Sequence, residues 1–523
     1  MYKMEKRIKI LEQDKYLVFP IKAKQDKAKI YITKQNEIIT ELNIPVGKDE
    51  NGYSYDFLAY LPLSSYNGME ITLSGEVPVA FMEAVHTADS ITRKRNQRPS
   101  IHFTPDYGWI NDPNGLVYQN GIYHLFFQYN PFDTEWDNMS WGHAVSADLL
   151  HWEQRDITLL PDEDGMIFSG CGLVNEFGLL DLWKDTLLFF YSAAGGANEL
   201  SIGKDFSQKL AYSLDNGNTL IKKQTILPVI CKENRDPKIF WHEPSKAYIM
   251  LLWLEHNDFA IFRSTNLEHW EMSQRLTLQL GFECPDLFEL PIQRDIGHGE
   301  CMESKWVFWS ADGFYFVGDF NGYEFHTDGL RKEAYQTKLP YAAQTFSNTG
   351  NRVISIPWLR TKTIDHLYTG CMGIPREFSL VEYEGGLRLK QGLVKEVDSK
   401  QNLIFENNQS GEIHLHWNRE GAVKIDLKFA YGMEHPTESF WLCLLGEEIR
   451  YDAKKGILTV SDQIIEVEKN SKDFCIIIDK GIIEITANND TIYAVFQVSD
   501  KNDNHEIAFH SAWLDEIRVY EVL

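Results

Sequence analysis

Three acidic residues open otherwise dissimilar segments of this sequence. Asp112 stands in Trp109-Ile-Asn-Asp-Pro-Asn-Gly115, Asp236 in Arg235-Asp-Pro237 and Glu283 in Glu283-Cys-Pro-Asp286. Gathered around one substrate, such a set suits cleavage of a glycosidic bond. One carboxylic acid protonates the departing oxygen, while a second carboxylate attacks the anomeric carbon or activates water. When the second is a nucleophile, the pair lies roughly 5–5.5 Å apart and configuration is retained. The flanking residues fit these roles. Pro113 restricts and Gly115 frees the backbone around Asp112, and Asn111 can hydrogen-bond sugar hydroxyls. Arg235 can hold Asp236 ionised, since a nearby cation favours the charged form. Glu283 follows Gly281-Phe282 and precedes Cys284-Pro285. Apolar neighbours there are expected to raise its pKa toward the range a general acid needs. Trp109, Trp136 and Phe168 are candidates for pocket walls, Gln128 and Ser169 for hydroxyl contacts. Taken singly, each acid is more simply a turn cap or a surface group; the case rests on the three together.

Other reactive side chains read as structural. Cys284 adjoins Glu283, but no partner histidine is evident, so it reads as packing beside the acid rather than as a thiol nucleophile. His102, His124 and His143 follow no common ligand spacing, so no metal is expected from them.

Acids so far apart in the chain need an architecture that brings them together, and an internal repeat supplies one. Each unit has a short strand starting at a polar group, a turn and a strongly apolar strand. Units begin at Asp112, Phe168, Asp236, Glu283 and Ala343, and Asp112, Asp236 and Glu283 thus open innermost strands. A second echo pairs Ser146-Ala-Asp-Leu-Leu-His-Trp152 with Ser264-Thr-Asn-Leu-Glu-His-Trp270. Strand repeats of this size without helices indicate a propeller, whose innermost strands line one central funnel. The chain is therefore expected to be all-β: a five-bladed β-propeller over 101–380, then a β-sandwich over 385–523. The sandwich rests on alternating strands such as Gly411-Glu-Ile-His-Leu-His-Trp417, Ala422-Val-Lys-Ile-Asp-Leu427 and Gly481-Ile-Ile-Glu-Ile-Thr486. Ahead of the propeller, residues 1–86 read as a small extra β-rich domain with turns at Asn51-Gly52 and Asn67-Gly68. Residues 87–100, with Arg93, Lys94, Arg95 and Arg98, read as a solvated linker.

Composition narrows the partners. A net charge of −25 argues against nucleic acid and anionic membrane, both of which need a basic footprint. No run of about eighteen apolar residues is present. Aromatic residues make up 13% of the chain, which suits both β-structure and stacking on sugar rings. The N-terminal stretch is charged without an apolar run behind it, so no signal peptide is expected. The seven cysteines are scattered and odd in number, and a reducing cytoplasm is the expected location.

The motifs also resemble a known family. His102-Phe-Thr-Pro105 with Trp109–Gly115, Phe127-Gln-Tyr-Asn-Pro131, Trp141-Gly-His143, Phe168-Ser-Gly170 and Arg235-Asp-Pro237 are among its matching pieces. Glu283-Cys-Pro-Asp286, Tyr341-Ala-Ala-Gln-Thr345 and Pro375-Arg-Glu377 complete them in order. Together they are similar to glycoside hydrolase family 32, which contains invertases, exo-inulinases, levanases and sucrose-6-phosphate hydrolases. The resemblance implies Asp112 as nucleophile, Glu283 as acid/base, Asp236 as transition-state stabiliser and Arg235 as its neighbour in the fructose site. It implies no metal or cofactor. The chain departs from the family's pattern in its N-terminal domain, in Phe282 where Trp is usual, and at Asn351-Arg-Val-Ile-Ser-Ile-Pro-Trp358.

The activity so implied is a retaining β-fructofuranosidase. It would release terminal fructose from sucrose, fructo-oligosaccharides or short fructans through a covalent fructosyl-enzyme. The alternatives are a fructosyltransferase, a sucrose-6-phosphate hydrolase, or an inactive fructan-binding protein. The expected partner is a small carbohydrate, with self-association through the N-terminal or sandwich domain as an option.

Overall fold

The computed structural model describes residues 2–47, 53–92, 98–279, 281–293, 303–362, 367–383, 385–416, 421–430, 440–444, 446–498, 506–511 and 513–523. The Asn51-Gly52 turn, the basic Arg93-Lys94-Arg95 cluster, Cys301 and Trp417 lie outside the described residues.

Two sheets form the N-terminal unit. Tyr2–Lys9, Glu70–Val77, Lys27–Lys34 and Glu37–Pro45 lie in that spatial order, facing Phe57–Pro62, Tyr16–Ile21 and His86–Ala88. Alternation explains the packing: Ala28, Ile30 and Ile32 point inward, while Lys27, Lys29 and Tyr31 point outward. Gln35 and Asn36 both take positive φ, as a two-residue hairpin turn requires. Thr87 and Ala88, expected in the linker, extend the second sheet by pairing with Leu17 and Tyr16. Arg98 is not a free connector residue either; it pairs with Asp106 at 2.6 Å.

Five blades follow. Their innermost strands are Gly108–Gln119, Met166–Val174, Arg235–His242, Asp286–Gln293 and Pro340–Thr345. Second strands such as Leu187–Ala194 are buried on both faces, hence their unbroken apolar sequence, whereas the outer strand Glu271–Thr277 is largely polar. Ser146–Trp152 and Ser264–Trp270 fold into the same turn. Leu149 and Leu267 both stand at φ 65°, and the Trp152 and Trp270 indoles donate to their carbonyls at 3.0 and 3.2 Å. Tyr368–Thr369 pairs in parallel with Gly108–Trp109 and closes the ring. The fifth blade runs to Leu393, past the expected limit of 380, because Arg376–Tyr383 forms a hairpin with Gly386–Leu393.

The inner strands are cross-linked around the axis. Asn114 Oδ1 accepts from Gly170 N at 3.2 Å, and Ser347 Oγ donates to Gly172 O at 2.7 Å. Buried Lys238 pairs with Asp286 at 3.0 Å and donates to the Thr345 carbonyl at 2.5 Å. His124 and His143 stack and hydrogen-bond within the first blade at 3.1 Å. Burial lowers the His124 pKa to about 4, which keeps the pair neutral.

Two six-stranded sheets make the C-terminal sandwich, around Ile425, Leu427, Leu442, Ile449, Ile476, Ile485 and Phe509. Its seam with the propeller is ionic. His102 bonds Asp479 at 2.9 Å and Glu484 at 3.1 Å, and Arg376 bonds Glu484 at 2.5 Å, all buried.

Candidate active site

One mouth of the propeller is built from irregular strand starts. Pairing registers shift between Ile110 and Pro113, Ile167 and Gly170, Arg235 and Lys238, and Tyr341 and Gln344. A bulge bends its strand and re-aims a side chain. Asp112, Phe168 with Ser169, and Asp236 fall inside three of these bulges. Glu283 differs from expectation: it sits in the turn before the fourth inner strand, which begins at Asp286. The backbone there is strained, with Asp236 at φ 64°, Glu283 at 50°, Cys284 at 38° and Ala342 at 49°. Left-handed conformations of non-glycine residues cost on the order of 1–3 kcal/mol each and collect at functional sites. Gly115, at φ 55°, is required by space as well, since a Cβ would lie 2.7 Å from the Phe126 ring.

These strand starts surround a cavity of about 250 Å³ lined by Asn111, Asp112, Gln128, Trp136, Phe168, Ser169, Arg235, Asp236 and Glu283, with Met139, Tyr341 and Trp358. Of the residues expected in the site, only Trp109 stands behind the wall. Its indole donates to Asn111 Oδ1 at 2.9 Å and its ring meets Trp358, so it orients Asn111. Tyr341 and Trp358 stand in the stretches compared with the family's pattern but are not among the expected site residues, and Met139 carries no cue at all.

Asp112 Oδ2 accepts from Ser169 Oγ at 2.6 Å, and Asp112 Oδ1 accepts from Asn111 Nδ2 at a looser 3.3 Å. Gln128 Nε2 donates to Ser169 Oγ at 3.3 Å, leaving its buried Oε1 without a partner among the described residues. Burial raises the Asp112 pKa above its usual 3.8, with Glu283's charge adding to the rise and the Ser169 bond opposing it. Asp236 is held by its own backbone N–H on Ser192 Oγ at 2.9 Å and by Cys284 N on Oδ2 at 3.2 Å. Ser192 is a support with no motif to announce it.

Three expectations need correction. Arg235 does not chiefly hold Asp236, which lies 3.9 Å away; its guanidinium bonds Glu283 and stacks on Trp253, 4.0 Å from the ring centroid. Burial therefore dominates at Asp236, and with Glu283 and Asp112 nearby its pKa rises to about 7 despite Arg235. Nor is Glu283 in apolar surroundings. Tyr341 Oη donates to its Oε2 at 2.7 Å opposite Arg235, while Phe282 turns away onto Trp253. Cys284 is more than packing. Its Sγ lies 3.5 Å from Asp236 Oδ2 and 3.7 Å from Asp112 Oδ2. Burial and those carboxylates push its thiol far up, so it donates a proton rather than attacks.

Residues 102–391 match the glycosyl hydrolases family 32 N-terminal domain. The chain belongs to family 32. A levanase of Bacillus subtilis is 34% identical over 344 residues, 60% of this chain and 49% of the levanase. An invertase of Debaryomyces hansenii is 36% identical over 288 residues, 50% of this chain and 52% of the invertase. The chain thus spans about half the length of these curated relatives. Among solved structures, a fructofuranosidase from Schwanniomyces occidentalis complexed with fructosylnystose aligns with TM-score 0.72 and 25% identity. That alignment covers 83% of this chain and 99% of the other. An exo-inulinase from Aspergillus awamori aligns over the same shares with TM-score 0.72 and 24% identity, which supports the propeller-plus-sandwich fold. The family 32 match spans all three acids and all five inner strands.

Proposed function

We propose that this chain is a retaining β-fructofuranosidase acting on the terminal fructosyl unit of sucrose, fructo-oligosaccharides or short fructans. The observation that carries the reading is the meeting of Asp112, Asp236 and Glu283 in one cavity of about 250 Å³. Its small volume suits one bound ring at the acids with the remaining sugar outside. The relatives named levanase, invertase and exo-inulinase support a fructoside as substrate.

Asp112 attacks the anomeric carbon. Its Oδ1 is the freer oxygen, because Oδ2 accepts from Ser169 and faces the Cys284 thiol. As the Asp112–carbon bond forms, the carbon–oxygen bond to the leaving group breaks, and Glu283 gives that oxygen its proton. Glu283 then takes a proton from water as the water oxygen bonds to the carbon and Asp112 leaves. Two inversions at one carbon retain its configuration. Asp236 grips ring hydroxyls and faces the positive charge that develops on the ring, and that charge draws it toward its ionised form. Arg235 and Tyr341 hold both oxygens of Glu283 and fix its orientation for both proton transfers. A cytoplasmic location remains part of the proposal, supported by Cys171, Cys231, Cys284, Cys371, Cys443 and Cys475 all being free thiols.

The test is fructose release from sucrose, followed by NMR. The first-formed product is expected to be the β-anomer, and Asp112→Asn is expected to lose activity by roughly 10⁴-fold or more. An α-anomer, or an active Asp112→Asn variant, removes Asp112 as nucleophile. Tight binding of fructan without release favours the non-enzymatic alternative.

A further inference from the structure

The N-terminal unit also contacts Tyr107, Asp156, Pro161 and Glu199, but a dense group of its contacts falls on one segment at the rim of the cavity. Residues 131–139 join the second and third strands of the first blade and carry Trp136 and Met139 into the cavity wall. Phe132, from this segment, is fully buried in the core of the N-terminal unit, edge-on to Phe19 with ring centroids 5.5 Å apart. Lys27 reaches from the N-terminal unit to Asp133 at 3.3 Å and Asp137 at 3.0 Å. The Asn138 side chain pairs with the Asn43 backbone in both directions, accepting from its N–H at 2.8 Å and donating to its carbonyl at 2.9 Å. Asn43 Nδ2 donates to Asp137 Oδ1 at 3.2 Å. Asn138 itself holds φ at 44°, a strained value that persists only where surroundings enforce it. A second contact lies just ahead of the strand bearing Phe168 and Ser169, where Thr40 Oγ1 donates to the Pro161 carbonyl at 2.8 Å.

Trp136 is the exposed member of the wall. Its side is 48% open, against 1% for Ser169 and 4% for Asp236 at the floor. A fructosyl ring seated on the acids therefore leaves Trp136 to meet the leaving group. Among the described residues the one ring that Trp136 meets is Phe168, edge-on with centroids 6.2 Å apart. Its position is thus set largely by the segment beneath it.

We propose that the N-terminal unit is a positioning module for substrate. Through Lys27, Asn43 and the pocket around Phe132 it fixes the 131–139 segment and places Trp136 against the leaving-group sugar. Resting on the β-fructofuranosidase reading, the proposal makes this unit a determinant of which fructosides bind. Lys27, Asn43 and Phe132 act through Trp136 and are not catalytic.

The experiment compares two substrates on the full chain. One is a trisaccharide fructoside, whose leaving group reaches the rim; the other is β-fructosyl fluoride, whose leaving group is one atom. Lys27→Met and the milder Asn43→Ala are measured beside Trp136→Ala and the Lys27→Met/Trp136→Ala double variant. Lys27→Met is expected to raise KM for the trisaccharide about fivefold, the scale of one net interaction. Its kcat is expected to stay within about twofold, and its kcat/KM for the fluoride to hold. Lys27→Arg should restore KM. The double variant should be no worse than Trp136→Ala, because two changes acting through one contact do not add. Equal losses on both substrates, additive effects, or wild-type KM in both Lys27→Met and Asn43→Ala overturn the positioning role. If Lys27→Met fails to fold, Asn43→Ala alone carries the comparison. A wild-type chain that releases fructose from neither substrate refutes the β-fructofuranosidase reading instead, and this proposal with it.

Discussion

Asp479 and Glu484, at the seam between propeller and sandwich, share with Asp112 and Asp236 a position deep inside the protein, but their protonation runs the other way. At the seam two acids meet two cations. Burial alone would raise both carboxyls, yet His102 and backbone N–H groups hold Asp479 below its usual range. Arg376, His102 and the Ile374 N–H likewise hold Glu484 down at about 2. At the mouth three acids share Arg235, and burial wins: Asp112 is raised and Asp236 reaches about 7. Charge balance, more than depth, separates carboxylates that hold the fold from those left free to change protonation.

The largest effects should come from removing one acid of each kind. Asp112→Asn is expected to abolish fructose release while leaving the unfolding midpoint unchanged or higher, since it removes a costly buried acid. Glu484→Gln is expected to do the reverse. It leaves Arg376 buried beside a neutral amide, a loss of about 3–5 kcal/mol on the scale of broken buried pairs. Activity per folded molecule should persist. Urea unfolding and turnover measured on both variants decide it. A Glu484→Gln protein as stable as the parent, or an Asp112→Asn protein that does not fold, would erase the distinction.

The same contrast explains what was legible in the sequence. The blade repeat could be read because each inner and second strand must satisfy the same burial, so Asp112, Phe168, Asp236 and Ala343 recur at the bulges of their inner strands, with Glu283 just ahead of the fourth. The acids could be read because their chemistry requires specific groups. Their electrostatics could not. Arg235 is next to Asp236 in the chain, but alternation of side chains along a bulged strand turns it to Glu283 from the neighbouring blade. Tyr341 and Cys284 reach the carboxylates through strained backbone that no periodicity announces. The seam was equally hidden. His102 and Arg376 belong to recognisable motifs, yet their partners lie in the sandwich, where Glu484 sits in a strand whose sequence alternates but which is buried on both faces. The N-terminal hold on Asp133 and Asn138 depends on contacts between distant segments, which local pattern does not encode.

Stability against pH should sharpen the comparison further. Glu484, lowered from 4.5 to about 2, adds stability that is full above pH 4.5 and is lost as pH falls through about 2. His102, bonded to both seam acids against the opposing effect of burial, is raised from 6.5 to about 9. Its contribution is full below pH 6.5 and is lost as pH rises through about 9. Asp236 has the opposite sign from Glu484. Raised from 3.8 to about 7, it binds its proton more tightly folded than unfolded, so it costs stability increasingly as pH climbs across that range. Thermal midpoints of Asp236→Asn minus parent should therefore grow from pH 4 to 7. For His102→Gln, the deficit should be greatest below pH 6.5 and shrink toward pH 9. Both differences rise with pH, but in separate windows; an Asp236→Asn difference that stays flat between pH 4 and 7 would mean that the mouth acid is not the costly buried group the comparison requires.

The smallest expected effect lies in one hydrogen bond at the mouth. Ser169 Oγ donates to Asp112 Oδ2 at 2.6 Å and opposes the upward push of burial on that carboxyl. Ser169→Ala removes the opposition, so Asp112 takes up its proton at higher pH. Attack requires the ionised form, and the acid limb of kcat/KM should move toward neutrality. Above that limb the rate should fall by no more than about tenfold, the scale of a single hydrogen bond to a charged group. Glu283→Gln supplies the opposite shift, because removing its charge from beside Asp112 lowers the carboxyl and carries the limb to lower pH. Fructosyl fluoride is the substrate for both profiles, since fluoride departs without a full proton transfer and leaves Asp112 as the titrating group. A limb that stays fixed in both variants belongs to Asp236, and the acid short of a cation that governs the chemistry would then be the transition-state partner instead of the nucleophile.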